Sequence, residues 1–326
     1  MNSKGNPRFS SRISSPFWTG FLRRLVFTLL WVVFLLWLVV IPGGGLLYMH
    51  QLLHVLCPEA GPPPPGFREV RLSTADGLQL TGWWHPPEAG HPAAILLLGG
   101  HAANRAAMLP EAQFLAGAGY GILTLDYRNC AGEISTLGYR EVEELRAMVA
   151  FARSQPGVEW IGVLGFSVGG TVAIRGAARS SEIRALVAEG NFTSLEEDIL
   201  SRPAAFLSPA WQIRRMALLA YRLYVGAWPG EVNPLTDLPK IAGRPALLIH
   251  GDTEATHNRA QAQQAACGSS CQLWIIPGAG HGAYRAADEQ KYRQVILDFF
   301  DTARAAGHGT REETNSPQSR KGREDS

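Results

Sequence analysis

The chain has 326 residues, 46% of them hydrophobic, which is enough for one sizeable globular core and an additional segment. Its formal net charge is only +2, and the charged residues are scattered, with no basic stripe and no interleaved basic and aromatic residues. This composition excludes the surface pattern typical of nucleic-acid-binding proteins, so we expect no nucleic-acid partner.

The N-terminal segment is the most apolar part of the chain. Residues 25–49 contain no charged residue, and residues 25–41 are almost entirely Leu, Val, Phe and Trp. Because a helix of about 20 apolar residues crosses a bilayer, we predict a transmembrane anchor over residues 25–49. Two alternatives stay open: a buried core helix, which is usually shorter or amphipathic, and a cleaved signal peptide, whose apolar region is about 7–15 residues long.

The charges before this segment predict its orientation. Residues 1–24 form a basic segment with no acidic residue. Its positive charges are Lys4, Arg8, Arg12, Arg23 and Arg24. Positive residues favour the cytoplasmic side, so we expect a single-pass membrane protein with a cytoplasmic N-terminus and everything after the span on the extracytoplasmic side.

Two segments bound the globular domain, which we expect over residues 67–305. Residues 50–66 include CPEAGPPPPG, whose prolines indicate a semi-rigid linker. Residues 306–326 are polar and lack large apolar side chains, which predicts a disordered tail.

Within the domain, strand patterns alternate with helix patterns. Two strands flank an Asp76-Gly77 turn, and further strands are predicted at AAILLLGG, GYGILTLDYR, VEWIGVLGF, IRALVAEG, RPALLIHG and CQLWIIPG. Helices are predicted between several of these, and a closing helix at 292–302. The alternation indicates a mostly parallel sheet with helices on both faces. Residues 191–243 are too long for a simple crossover, so we predict a small helical insertion over one end of the sheet.

The sequence contains Cys57, Cys130, Cys267 and Cys271. The motif CGSSC lacks the second cysteine pair or the histidines of a zinc site, and we expect no metal. Cys267 and Cys271 either form a disulfide or remain thiols, since spacing alone does not fix the geometry. We interpret Cys130 as a structural or incidental residue rather than a second nucleophile.

The motif GFSVG places Ser167 between Gly165 and Gly169, after a predicted strand and before a small-residue helix. This is the context in which G-x-S-x-G exposes a nucleophilic serine, although a serine in a glycine-rich turn matches the same letters. A serine hydroxyl needs a base and an orienting acid. Later strands end at LLIHGDTEATH, with Asp252 and Glu254, and at IIPGAGHGAY, with His281. A surface loop histidine is the alternative interpretation of that last residue.

These segments resemble the α/β-hydrolase superfamily, through residues 99–105 and the motifs LDYR, GFSVGG, LLIHGD and PGAGHG. More narrowly, ADGLQLTGWW, TLGYRE and AEGNFTSL resemble membrane-anchored serine hydrolases of the ABHD type. The resemblance covers roughly residues 67–305, and it implies an α/β-hydrolase fold with a helical cap over residues 191–243. It is not specific for a substrate.

The resemblance also implies roles for individual residues. Ser167 is expected to be the nucleophile, and His281 the general base and then the general acid. The family pattern H-G-x-x-D places the triad acid at Glu254, a glutamate where relatives have aspartate, and Asp252 is the alternative acid.

The family's oxyanion hole implies two backbone donors, at Val168 and at His101. The sequence has Gly99-Gly100 before His101 where the family usually has His-Gly. No metal or organic cofactor is implied.

Together these features predict a membrane-anchored serine esterase of the carboxylesterase or lipase-like class, acting on small-molecule or lipid esters. A prolyl-oligopeptidase-like serine peptidase and a non-enzymatic membrane scaffold with the same fold are the alternatives. Aromatic and aliphatic residues of the insertion either line an acyl pocket or pack the insertion onto the domain; they are Leu207, Trp211, Leu218, Leu219, Tyr221, Tyr224 and Trp228.

Overall fold

The computed structural model of the protein describes residues 16–201, 204–241, 243–254 and 257–315. The first of these residues form a long helix, α1 (Pro16–Leu53). The N-terminal part of the predicted basic segment, up to residue 15, and residues 316–326 of the predicted tail lie outside these residues.

Helix α1 is longer than the predicted span of residues 25–49 at both ends. Its part from Gly20 to Leu53 is long and apolar enough to cross a membrane. Residues 20–40 are exposed throughout, so the alternative of a buried core helix is wrong for this stretch. The helix continues through Pro42 to Leu53.

The sheet contains eight strands in the order β1-β2-β4-β3-β5-β6-β7-β8. In chain order they are β1 (Arg68–Ser73), β2 (Gln79–His85), β3 (Ala93–Leu98), β4 (Gly121–Leu125), β5 (Trp160–Phe166), β6 (Ile183–Glu189), β7 (Ala246–Gly251) and β8 (Cys271–Ile276). The pairs β1–β2 and β2–β4 are antiparallel, and all other neighbours are parallel. The predicted hairpin and the mostly parallel sheet are confirmed.

Nine further helices of the described residues connect or follow the strands. They are α2 (Leu109–Gly117), α3 (Glu141–Ser154), α4 (Val168–Ala177), α5 (Leu195–Ser201), α6 (Pro209–Val225), α7 (Pro234–Asp237), α8 (His257–Cys267), α9 (Tyr284–Ala287) and α10 (Glu289–Asn315). Short 3₁₀ turns occur at Arg128–Ala131, Pro229–Glu231, Leu238–Ile241 and Gly268–Ser270. The insertion predicted at 191–243 is mainly helical in its described residues, as expected.

The disordered tail predicted from residue 306 starts too early. Helix α10 continues to Asn315. A polar sequence can stay helical when no residue blocks its backbone hydrogen bonds, and the first proline here is Pro317.

Strand β3 is buried on both faces of the sheet, by helices on either side. All six of its residues are buried. Ala94, Leu96 and Leu98 belong to one core cluster, together with residues of α3 and α4. The alternate residues Ala93, Ile95 and Leu97 belong to a second cluster, together with residues of α2 and α10. Successive side chains of a strand point to opposite faces, so one short apolar run contributes to two core layers.

The last three turns of α1 belong to the globular domain, which corrects the predicted start of the linker at residue 50. Ile41, Met49 and Leu53 are buried. A Cβ at Gly45 would lie 2.8 Å from the backbone carbonyl carbon of Met216 in α6, so only glycine allows the two helices to approach this closely. The Leu53 carbonyl accepts a hydrogen bond from the Ser135 amide at 2.9 Å.

Two disulfides are present. Cys267 and Cys271 are joined, which decides the question that their spacing left open. Cys57 is joined to Cys130, a pairing that the sequence analysis did not anticipate. The second bond attaches the segment after α1 to the 3₁₀ turn that follows β4.

Candidate active site

Ser167 lies at the turn between β5 and α4, in a strained backbone conformation. Its φ of 56° and ψ of −116° are rare for a residue with a side chain. The flanking glycines make this turn possible: a Cβ at Gly165 would collide with the Gly169 carbonyl, and a Cβ at Gly169 with the carbonyl of Leu98. The small residues of GFSVG are therefore required by close backbone contacts, and the turn leaves the Ser167 side chain partly exposed.

The structure brings together Ser167, His281 and Glu254. The Nε2 atom of His281 lies 3.1 Å from Ser167 Oγ. Its other ring nitrogen, Nδ1, lies 3.0 Å from Glu254 Oε2. An ionised carboxylate can only accept, so Nδ1 carries the hydrogen and Nε2 is left to accept the proton of the serine hydroxyl.

Glu254, the acid in this set of three hydrogen-bonded residues, is buried and fixed in position. Its side chain is 1% exposed, whereas that of His281 is 49% exposed. The second carboxylate oxygen accepts from the Gly251 amide and from the Tyr284 hydroxyl, each at 2.5 Å. Burial alone would raise the pKa of Glu254, but hydrogen bonds from His281, Gly251 and Tyr284 lower this pKa to about 2. The carboxylate is therefore ionised at neutral pH.

The alternative acid, Asp252, is located elsewhere. It is exposed, and its Oδ1 accepts a hydrogen bond from the Gly278 amide at 2.7 Å. Of the two acids that the sequence left open, Glu254 is the one in contact with His281.

The predicted oxyanion residues flank the serine. Val168 is the first residue of α4, where the helix N-terminus favours negative charge. The end of β3 approaches from the other side: a Cβ at Gly100 would lie 3.5 Å from the Cβ of Ser167. The next residue, His101, has its ring Nε2 at 2.8 Å from the Leu52 carbonyl oxygen of α1. Burial lowers the pKa of His101, which favours the neutral ring donating to that carbonyl.

A cleft of about 360 Å³ opens over the serine. His101, Ser167, Val168, Glu254 and His281 line it, so every predicted site residue except Asp252 borders one cavity. Further lining residues come from α1, from the loop before α3 and from the insertion; they include Leu52, Leu137, Phe192, Leu195, Asp198 and Ser201.

The aromatic and aliphatic residues of the insertion that were considered for an acyl pocket are not among the residues that line this cleft. Tyr221 is buried, and its hydroxyl donates to the Thr136 carbonyl at 2.7 Å. Leu207, Leu219 and Trp228 are exposed. Tyr221 therefore packs the insertion onto the domain and does not line an acyl pocket. The apolar wall of the cleft includes Leu52, Phe192 and Leu195 instead.

This fold has relatives among known proteins. The alpha/beta hydrolase family matches residues 82–291. The chain belongs to this family. Among curated proteins, this alpha/beta hydrolase resembles two uncharacterized Mycobacterium tuberculosis proteins, Rv2307c of strain H37Rv and MT2364 of strain CDC 1551. Each is 26% identical over 273 residues, 80% of this chain and 91% of the relative.

Solved structures share the alpha/beta hydrolase fold. The Pyrococcus furiosus esterase Pf2001 is 24% identical with a TM-score of 0.62, covering 76% of this chain and 97% of that chain. An acylaminoacyl peptidase of Pyrococcus horikoshii is 17% identical with a TM-score of 0.54, and the match covers 72% of this chain but 41% of that chain. At these identities the likeness concerns the fold.

Sequence reasoning on this hydrolase missed two residues that position the imidazole and the acid. Tyr284 donates to Glu254, and it stands three residues after His281 in the motif HGAY. Gly190 has a φ of 57°, and a Cβ there would collide with the Tyr284 hydroxyl and lie 2.9 Å from Nδ1 of His281. The only signal available for Gly190 was a glycine at the end of the predicted strand IRALVAEG.

Proposed function

We propose that the chain is a membrane-anchored serine hydrolase that cleaves carboxylic esters through an acyl-enzyme intermediate. The observation that carries the proposal is the hydrogen-bonded chain from Ser167 through His281 to Glu254 at the floor of one cleft. The family membership and the fold shared with an esterase support the same reaction class. The complete hydrogen-bonded set of serine, histidine and glutamate also counts against the alternative of a non-enzymatic scaffold.

In the proposed reaction, Ser167 Oγ attacks the ester carbonyl carbon and transfers its proton to His281 Nε2. Glu254 stabilises the imidazolium that forms, because its carboxylate stays ionised and fixed. The main-chain N–H groups of Val168 and His101 are assigned to the carbonyl oxygen as it becomes negative. His281 then gives the proton to the leaving alcohol, and the acyl group remains on the serine.

Hydrolysis of the acyl-enzyme repeats these steps with water. His281 takes a proton from water as the water oxygen attacks the acyl carbon, and returns it to Ser167 when the carbon–oxygen bond breaks. The products are one alcohol and one carboxylic acid for each ester cleaved. The partly exposed imidazole of His281 gives water a route to the intermediate.

The proposed anchor is α1, with its exposed apolar residues 25–40 in the bilayer and Arg23, Arg24 and the N-terminus on the cytoplasmic side. Docking of residues 41–53 on the domain supports an anchor that is retained over a signal peptide that is cleaved, because cleavage at the end of the apolar residues 25–49 would remove Ile41 and Met49, which are buried in the domain. The N-terminal mass of protein extracted from membranes tests this: an intact α1 supports the anchor, and a chain starting after residue 41 contradicts it.

A fluorophosphonate probe tests the enzymatic part. We expect labelling of the full chain that disappears in Ser167→Ala, while Asp252→Asn labels normally. A panel of esters and peptides then separates an esterase from a peptidase, the class named for the Pyrococcus horikoshii relative. A folded protein that fails to label contradicts the proposal and favours the scaffold.

A further inference from the structure

The N-terminal end of α6 carries exposed apolar side chains beside a cation. Phe206 and Leu207, just before the helix, are 75% and 60% exposed. The ring of Phe206 lies 5.1 Å from that of Trp211, and the Arg215 guanidinium lies 4.2 Å over the same indole. We call Phe206, Leu207, Trp211 and Arg215 the α6 patch. Exposed apolar residues that adjoin one another typically mark an interaction surface.

Helix α6 runs beside α1 in the same direction. Gly44 of α1 faces Ile213. Further along both helices, His54 and Tyr224 have ring centroids 5.6 Å apart. Because both helices rise about 1.5 Å per residue, neighbouring positions differ by roughly 170 in residue number along the whole contact.

This correspondence gives the level of the α6 patch along α1. The first residue of α6, Pro209, lies level with about residue 39 of α1, and Phe206 and Leu207 directly precede it. Residues 36–40 of α1 are exposed and apolar. Trp211 and Arg215 lie level with residues 41–45, where α1 changes from exposed to buried. By contrast Leu223, which is 68% exposed on the same helix, lies level with Leu53, which is buried in the domain.

We propose that the α6 patch is a second membrane contact, which rests on the proposed anchoring through α1. Phe206 and Leu207 enter the acyl-chain region of the outer leaflet. Trp211 lies at the interface, where indole rings are favoured, and Arg215 pairs with lipid phosphate. The order of these side chains along α6 matches the order of layers in a leaflet, which favours a bilayer over a protein partner.

The contact has a consequence for substrate entry. Helix α5 contributes Leu195 and Ser201 to the cleft and directly precedes the patch in the chain. Leu52, which also lines the cleft, belongs to α1 itself. Two walls of the cleft are thus connected to membrane-bound elements, so the ester is taken from lipids of the leaflet rather than from solution.

Depth measurement on the full-length chain tests the contact without using activity. The native cysteines are paired in disulfides, so a thiol-reactive fluorophore can be placed at Phe206→Cys, at the control Leu223→Cys, or at Phe34→Cys in the middle of the apolar stretch. Each variant is reconstituted in phosphatidylcholine–phosphatidylglycerol vesicles that contain a spin-labelled lipid. We expect quenching at positions 34 and 206 to be several-fold stronger than at 223.

The outcomes separate the two proposals. Strong quenching at 34 with position 206 behaving like 223 overturns the second contact and leaves the anchor in place. Weak quenching at 34 overturns both. A fluorophore at 206 that is shielded from lipid quencher and from aqueous iodide alike indicates coverage by a second copy or another protein, and also overturns the inference.

Discussion

The serine turn and the contact between α1 and α6, which we call the seam, both depend on glycine, but glycine has a different role in each. At Ser167, glycines two residues to either side allow a strained backbone and hold a polar side chain next to His281. At the seam, Gly45 sits in an ordinary helix and allows an apolar contact with Met216. The first region uses close approach to expose a reactive group, and the second uses it to fix a long helix to the domain.

This difference predicts that substitutions in the first region mainly change catalysis, and that substitutions in the second mainly change stability. Substitutions around the serine and its partners should change rate constants in a protein that stays folded. Substitutions in the seam should lower the free energy of unfolding, and should affect activity through the wall of the cleft at Leu52.

The largest expected effect concerns the acid. Glu254→Gln should lower kcat by about 10⁴-fold, because a neutral amide neither holds the Nδ1–H tautomer of His281 nor stabilises its charged form. Ester hydrolysis by purified full-length protein measures this. Asp252→Asn is the matched control and should keep kcat within a factor of about two. The reverse pattern would assign the role to Asp252.

At the seam, Gly45→Leu should destabilise the protein by about 3 kcal/mol, since the new side chain overlaps the backbone of Met216. Thermal unfolding in detergent measures the loss. Gly43→Leu is the control, because a Cβ there has no neighbour within 4 Å. Equal losses in the two variants would show that helix docking does not depend on the close contact.

A smaller effect is expected where Tyr284 supports the acid. Tyr284→Phe removes one donor to Glu254, which should raise the pKa of that carboxyl and lower kcat about tenfold with little change in KM. Tyr120→Phe removes a comparable hydroxyl, bonded to Asp301 at 2.7 Å, and should leave kcat unchanged. A KM effect without a kcat effect would argue against a positioning role.

A separate effect is a pH dependence of stability at Glu189, the last residue of β6. Burial raises the pKa of Glu189 from 4.5 to about 8. Between these values the folded state keeps a proton that the unfolded state releases, so stability falls as pH rises, by at most about 1.4 kcal/mol per pH unit.

The variant Glu189→Gln has no titrating group at this position. Its amide oxygen can still accept the hydrogen bond that the Tyr292 hydroxyl donates to Glu189 Oε1 at 2.6 Å. Its unfolding free energy should therefore fall less than that of the natural chain between pH 5 and pH 8. Parallel stability curves for the two proteins would show that the carboxyl at residue 189 ionises normally.

The sequence predicts the serine turn and its partners well because their signals are local. Gly165, Ser167 and Gly169 lie within five residues of the sequence. Glu254 and His281 follow the ends of β7 and β8, and a parallel sheet brings such strand ends to one edge. The local strand pattern did not choose between Asp252 and Glu254; the family pattern H-G-x-x-D favoured Glu254, and the contact with His281 that distinguishes the two is formed in three dimensions.

The seam and its surroundings could not be predicted because their partners are distant. Nothing near Gly45 indicates Met216, and a separation of 73 residues gives no cue for the Cys57–Cys130 disulfide. Helix α8 was missed for another reason: HNRAQAQQAAC lacks the apolar stripe by which amphipathic helices are found.

The most direct test of the proposed chemistry is to trap the acyl-enzyme. Full-length protein turning over a p-nitrophenyl ester is quenched in acid, digested and analysed by mass spectrometry. We expect the acyl group on the peptide that contains Ser167, with its amount reduced in Glu254→Gln. Hydrolysis that proceeds with the acyl group on another residue, or with none on the protein, would contradict the account.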